Sequence, residues 1–180
     1  MLKTLTNDEK KLLLEIAREA ITCTVKGKKA PPREVESEHL LEKRGCFVCI
    51  KQGGALRGCI GNFISDKPLW KLVQEMAIAA GTRDPRFYPM KESDLEDFAL
   101  EISALTPLQK ISSIEEIKVG VHGLYMEKNF FRGVLLPQVA VEYGWDRDTF
   151  LDQTCLKAGL KKDDWKEGAE IYIFSADVFS

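Results

Sequence analysis

Residues 46–61 read as a β-hairpin, and no other stretch constrains the fold as much. Cys46 to Ile50 is a short apolar run, Gln52-Gly53-Gly54 supplies turn chemistry, and Ala55-Leu56-Arg57-Gly58-Cys59-Ile60-Gly61 forms the second arm. Side chains alternate along a strand, which puts Leu56, Gly58 and Ile60 on one face and Arg57, Cys59 and Gly61 on the other. Same-face neighbours lie roughly 6.5 to 7 Å apart at the backbone, a gap that a guanidinium arm spans. Arg57 would there stabilise a thiolate at Cys59, and thiolate is the reactive form of cysteine. Gly58 and Gly61 would leave the sulfur uncrowded and let the backbone approach a ligand. The plainer alternative makes Cys59 a small buried hydrophobe and the glycines the mark of a bulge.

Around this hairpin the chain alternates helical and extended patterns. Thr6 and Glu9 form a capping box, and Leu13, Ile16, Ala17, Ala20 and Ile21 recur at helical spacing, predicting a helix to about Thr24 that Gly27 ends. Lys26 to Arg33 is a basic, proline-containing link, and Ser37 to Arg44 contains a short helix. After the hairpin, Asp66 caps a helix with Pro68 in its first turn, an apolar stripe from Leu69 to Ala80, and Gly81 as its stop. Thr82 to Pro89 is a proline-stiffened loop, with Asp84 pairing an arginine, Phe87 entering the core, and Arg86 left for function. Leu95 to Leu105 alternates as a strand with Glu101 on its solvated face. Ser113 and Glu116 open a helical turn.

From Gly120 the pattern returns. A shift of 75 positions lays Gly45 on Gly120 and Arg57-Gly58 on Arg132-Gly133, so that a second hairpin spans roughly residues 121–136 with its turn near Lys128-Asn129. Pro137 opens a short helix through Tyr143, Asp146 caps another with Phe150, Leu151, Thr154, Cys155 and Ala158 on one face, and Gly159 closes it. Glu170 to Phe179 is a closing strand. The fold class expected is α+β: antiparallel or mixed sheets covered by helices, one domain over residues 1–180 built from two related hairpin-plus-helix lobes at roughly 45–96 and 120–166. The thiol belongs to the first lobe alone, because Val134 stands where Cys59 would recur.

Charge and cysteine usage narrow the function classes. A net charge of -2 over 180 residues provides no global field for nucleic acid. No apolar run has the length of a membrane span, and acidic residues interrupt the amino terminus where a secretory leader needs an apolar core. Five scattered cysteines, Cys23, Cys46, Cys49, Cys59 and Cys155, have no disulfide-framework spacing and fit a reducing cytoplasm. Cys46 and Cys49 have the spacing of a zinc knuckle, but they flank strand formers and face opposite sides of a strand, so no metal or other cofactor is expected.

The string LRGCIG, followed by Arg83-Asp84-Pro85-Arg86-Phe87, Gly120-Val121-His122-Gly123-Leu124 and Leu136-Pro137-Gln138-Val139-Ala140, resembles the AMMECR domain family in content and order. That resemblance implies a place beside a Memo-type protein and a radical SAM enzyme, as the A component of an AmmeMemoRadiSam set, without fixing a reaction. Arg57, Gly58, Gly61, Arg83, Arg86 and Gln138 are then candidates for ligand or partner binding, and Cys59 and His122 for catalysis as nucleophile and base. His122 has a structural alternative, since a buried and hydrogen-bonded imidazole needs no catalytic role. Three classes follow: a module that docks those partners through its LRGCIG surface, a thiol-dependent enzyme, and a binder of a small anion. The expectation for all three is that Arg57, Cys59 and Arg86 line one concave surface with His122 near its edge.

Overall fold

A computed structural model of the chain describes residues 4–180. The first three residues, part of the amino-terminal stretch read above for a leader, lie outside the described residues. The chain is α+β and divides into two compact units, one made of the described residues up to Thr106 with Asp177–Ser180, the other Pro107–Ala176.

In the first unit, helix α1 (Asn7–Val25) begins on the Thr6/Glu9 capping box and buries Leu13, Ile16, Ala17, Ala20 and Ile21. A short helix α2 (Glu38–Leu41), capped by Ser37, leads into strands β1 (Cys46–Gln52) and β2 (Ala55–Asn62), paired antiparallel around the Gly53-Gly54 turn. Helix α3 (Leu69–Thr82) follows and lies against β1, β2 and α1. Strand β3 (Ala99–Leu105) pairs antiparallel with β1. The core is the meeting of one sheet face, Cys46, Val48, Ile50, Leu100 and Ile102, with the apolar stripes of α1 and α3.

The second unit opens with the short strand β4 (Gln109–Lys110). The hairpin β5 (Gly123–Lys128) and β6 (Phe131–Leu135) turns at Asn129, which has φ 56°. Helices α4 (Pro137–Glu142) and α5 (Arg147–Ala158) come next, the second with the Asp146 cap and the five buried residues expected of it. Strand β7 (Glu170–Phe174) pairs antiparallel with β5 and β4. The closing stretch is not one strand: the chain breaks at Ser175, and β8 (Ala176–Phe179) joins the first sheet. The strand orders are β2-β1-β3-β8 and β4-β7-β5-β6, so each sheet sets the first arm of its hairpin between the second arm and a later strand.

Several local expectations change. Asp66 does not cap α3: the helix starts at Leu69 after Pro68, with no side-chain cap, while the Leu69 amide donates to Glu42 O at 2.9 Å. Gly81 lies inside α3 and is buried against Met90, Ile50 and Ile21, so packing rather than helix termination explains it. Residues 92–95 form a 3-10 turn, and β3 begins only at Ala99. Phe87 is half-buried outside the core, with the Arg86 guanidinium 5.5 Å from its ring centre.

Candidate functional site

β2 is an edge strand, and its geometry departs from simple alternation at Arg57. Ile50 faces Gly58 and Lys51 faces Leu56, which leaves Arg57 as the extra residue of a bulge. Its guanidinium turns to Asp94 at 3.4 Å rather than to the sulfur. The Lys91 amide, and then the charge of Arg57, hold the Asp94 carboxyl below its ordinary range against the effect of burial. Gly58 is required by packing, because a Cβ there would overlap the carbonyl oxygen of Ala80 near the end of α3. Gly61 is required in the same way by the ring of Phe47.

A strand edge exposes N–H and C=O groups that need partners, and here the loop after α3 supplies them. The Cys59 amide donates to Asp84 Oδ2 at 2.9 Å, and Arg86 Nη2 donates to Cys59 O at 3.3 Å. Asp84 and Arg86 are themselves paired, with Nε to Oδ1 at 3.0 Å and Nη2 to Oδ2 at 2.8 Å. The Asp84 side chain is 1% exposed and that of Arg86 56%. The Arg86 guanidinium, opposed by burial and aided by the amides of Cys59 and Arg86, holds the Asp84 carboxyl far below the usual carboxylate range. The RDPRF block is thus a clamp that stands in for a neighbouring strand at Cys59.

With its amide and carbonyl turned outward to the clamp, Cys59 sits opposite Cys49 in a non-hydrogen-bonded pair, the position where cross-strand side chains come closest. Their Cα atoms are 4.0 Å apart and their sulfurs are joined in a disulfide. This corrects the expectation of an Arg57-activated Cys59 thiolate: the sulfur is covalently engaged and the arginine is engaged elsewhere. Cys46 lies on the opposite face, buried in the core, where burial, against the nearby charge of Arg44, pushes its thiol up to about 12. On the outer face Glu101 is opposite Cys49 and is paired with Lys51 at 2.8 Å, so it is ion-paired rather than simply solvated. Among the described residues no three His, Cys, Asp or Glu side chains are grouped to hold a metal.

The AMMECR1 family profile matches residues 14–179. The chain belongs to the AMMECR1 family. It is 41% identical over 184 residues to Protein Mbar_A1807 of Methanosarcina barkeri, covering 97% of this chain and 91% of that one. Protein MK0488 of Methanopyrus kandleri is 42% identical over 185 residues, with 97% and 89% covered. Among solved structures, the uncharacterized protein PH0010 from Pyrococcus horikoshii superposes with a TM-score of 0.74 at 40% identity, over 93% of this chain and 88% of that one.

The remaining candidates of this AMMECR1-family chain fall in different places. Arg83 is exposed where α3 ends, and its amide closes the helix on Ala79 O at 2.8 Å. Gln138 is exposed on α4, and His122 is buried just before β5, both in the second unit. The His122 Nδ1 accepts from the Lys118 amide at 3.2 Å. Burial, and then the charge of Lys118, lower the imidazole below its ordinary pKa, against a backbone hydrogen bond to Glu116. In that geometry the ring links the Lys118 and Glu116 backbone to the start of β5. Cys49 and Asp94 are the site residues that sequence reasoning did not assign, and for Asp84 it gave the pairing with an arginine but not the hold on the Cys59 amide. Counted back from the Gly53-Gly54 turn without a bulge, Cys49 faces Gly58; the extra residue Arg57 moves it onto Cys59.

Proposed function

We propose that this AMMECR1-family chain is a cytoplasmic docking module whose LRGCIG strand and RDPRF clamp present one surface to a protein partner. By the family resemblance, that partner is a Memo-type or a radical SAM protein. The observation that carries the reading is the contrast between polar side chains engaged within the chain, Arg57 through one of its two Nη atoms, and exposed apolar ones. Asp94 engages Arg57, and Asp84 and Arg86 engage each other and the Cys59 backbone, whereas Leu56 on β2, Ile64 just after it and Tyr88 just after the clamp are 42%, 59% and 88% exposed. Exposed aromatic and aliphatic side chains beside a rigid polar frame are what an interface core is made from. A thiol-dependent enzyme would first need the Cys49–Cys59 bond reduced. The test is direct binding of the purified chain to the Memo-type and radical SAM proteins of the same genome. Micromolar or tighter binding to one of them is expected, weakened about tenfold or more by Tyr88→Ala combined with Ile64→Ser. Absence of binding at about 100 μM, or affinity unchanged by both substitutions, would reject the surface.

A further inference from the structure

We propose that Cys49 and Cys59 form a reversible thiol–disulfide exchange site, reactive toward low-molecular-weight thiols and disulfides. The placement of the pair carries the inference. Both residues lie on the outer face of the first sheet and are half-buried, while Cys46 and Cys155 are fully buried and unpaired and Cys23 is unpaired on α1. Exchange needs a sulfur within reach of an incoming thiolate, and only this pair joins that access to an internal partner.

The frame holds the two sulfurs opposite each other whether or not they are bonded. Cys49 lies in β1, paired on one side with β2 and on the other with β3, and Cys59 is fixed through its amide and carbonyl by Asp84 and Arg86. Along the face, Phe47 packs over Gly61 and edge-on to Phe63 at 4.9 Å between ring centres, and on the other side Lys51 pairs with Glu101, which lies directly opposite Cys49 on β3. The sheet keeps the effective concentration of one sulfur at the other high, so a mixed disulfide on either cysteine is resolved by its neighbour.

The reaction balances with a small disulfide as oxidant. A thiolate from the reduced pair attacks one sulfur of RSSR, expelling RS⁻ and leaving a Cys–S–SR mixed disulfide. The second cysteine, deprotonated, attacks the protein sulfur of that bond and releases the second RS⁻. In sum, two protein thiols and RSSR become one protein disulfide and two RSH, with two electrons passed to the small molecule. The reverse, with two RSH, reduces the pair. This inference does not depend on partner docking, because exchange is read on the protein alone.

The experiment equilibrates the full chain anaerobically across a series of reduced-to-oxidised glutathione ratios, quenches with acid, alkylates and maps each cysteine by peptide mass spectrometry. The expected result is that Cys49 and Cys59 lose alkylation together along one curve, linked to each other, and regain it on return to reducing buffer. In Cys49→Ser, Cys59 is expected to carry a glutathione adduct that the unsubstituted chain does not accumulate. The proposal is overturned if both cysteines stay alkylated across the series. It is equally overturned if an adduct accumulates on one of them without the internal link. A bond that stays closed at every ratio in the folded chain but opens on denaturation would also overturn it, since the disulfide is then structural.

Discussion

Asp84 is a single carboxylate on which a strand edge, a loop and an arginine all depend. Removing its charge leaves the Cys59 amide and the Arg86 guanidinium without their acceptor at a side chain that is 1% exposed. Asp84→Ala is therefore expected to cost about 1 to 2 kcal/mol, chiefly for the Cys59 amide left without an acceptor, because the Arg86 guanidinium is exposed and can turn to water. It should also speed hydrogen exchange at the Cys59 amide. A urea midpoint within error of the unsubstituted chain would count against the clamp. Glu9 is the second residue with a measurable role. Burial raises its pKa, but the Ser37 hydroxyl, the Thr6 amide and the His39 ring outweigh that and hold the carboxyl at about 2. Because the folded pKa lies below that of the unfolded chain, the stabilisation is fully present above the unfolded value of about 4.3 and is lost as pH falls toward 2. The depression corresponds to roughly 3 kcal/mol. Glu9→Gln should flatten the acid limb of a stability-against-pH curve measured by urea unfolding between about pH 2 and 5. An unchanged limb would show that other carboxylates carry it.

At the scale of elements, the two hairpins share a device that the 75-residue shift places in register. Gly58 in β2 lies against Ala80 near the end of α3, and Gly133 in β6 lies against the backbone of Ala158, the last residue of α5. In each unit a missing Cβ lets the end of a later helix, α3 in one and α5 in the other, press onto the second hairpin arm. Gly58→Ala and Gly133→Ala should each destabilise by about 3 kcal/mol, since the obstacle is backbone that cannot swing aside. Gly168→Ala, with open space around it, tests the effect of φ alone and should cost about 1 kcal/mol. Equal losses at all three sites would refute the packing account. Hairpins, caps and stripes were legible because each is a local pattern: the Thr6/Glu9 box, the Asp146 cap and the buried face of α5 stand where their residues announce them. The start of α3 was not legible, because a long-range pairing around Glu42 and Lys43 with Pro68 and Leu69 overrode the better local cap at Asp66.

Taken as a whole molecule, the chain returns at its end to the unit in which it began. β8 lies beside β3, and Asp177 accepts from the Leu5 amide at 3.2 Å and pairs with Lys10 at 2.8 Å, tying the last strand to α1. Deleting residues 177–180 should raise hydrogen exchange in α1 and β3 more than in α5 and β5, whose core is built from Pro107–Ala176. Uniform loss of protection would show instead that the two units open together. What the chain determined by itself was every feature set by neighbours a few residues apart: the α+β class, two hairpins each followed by helix, the glycine turns, and the family through four short blocks. What only the tertiary structure decided was which of those blocks meet. One extra residue in β2 moved Cys49 from Gly58 to Cys59, turned Arg57 toward Asp94, and left the Cys59 backbone facing a loop 25 residues away in sequence. Alternation predicts faces, but a bulge breaks alternation, and the cost of an unpaired edge is met wherever folding brings a donor and an acceptor.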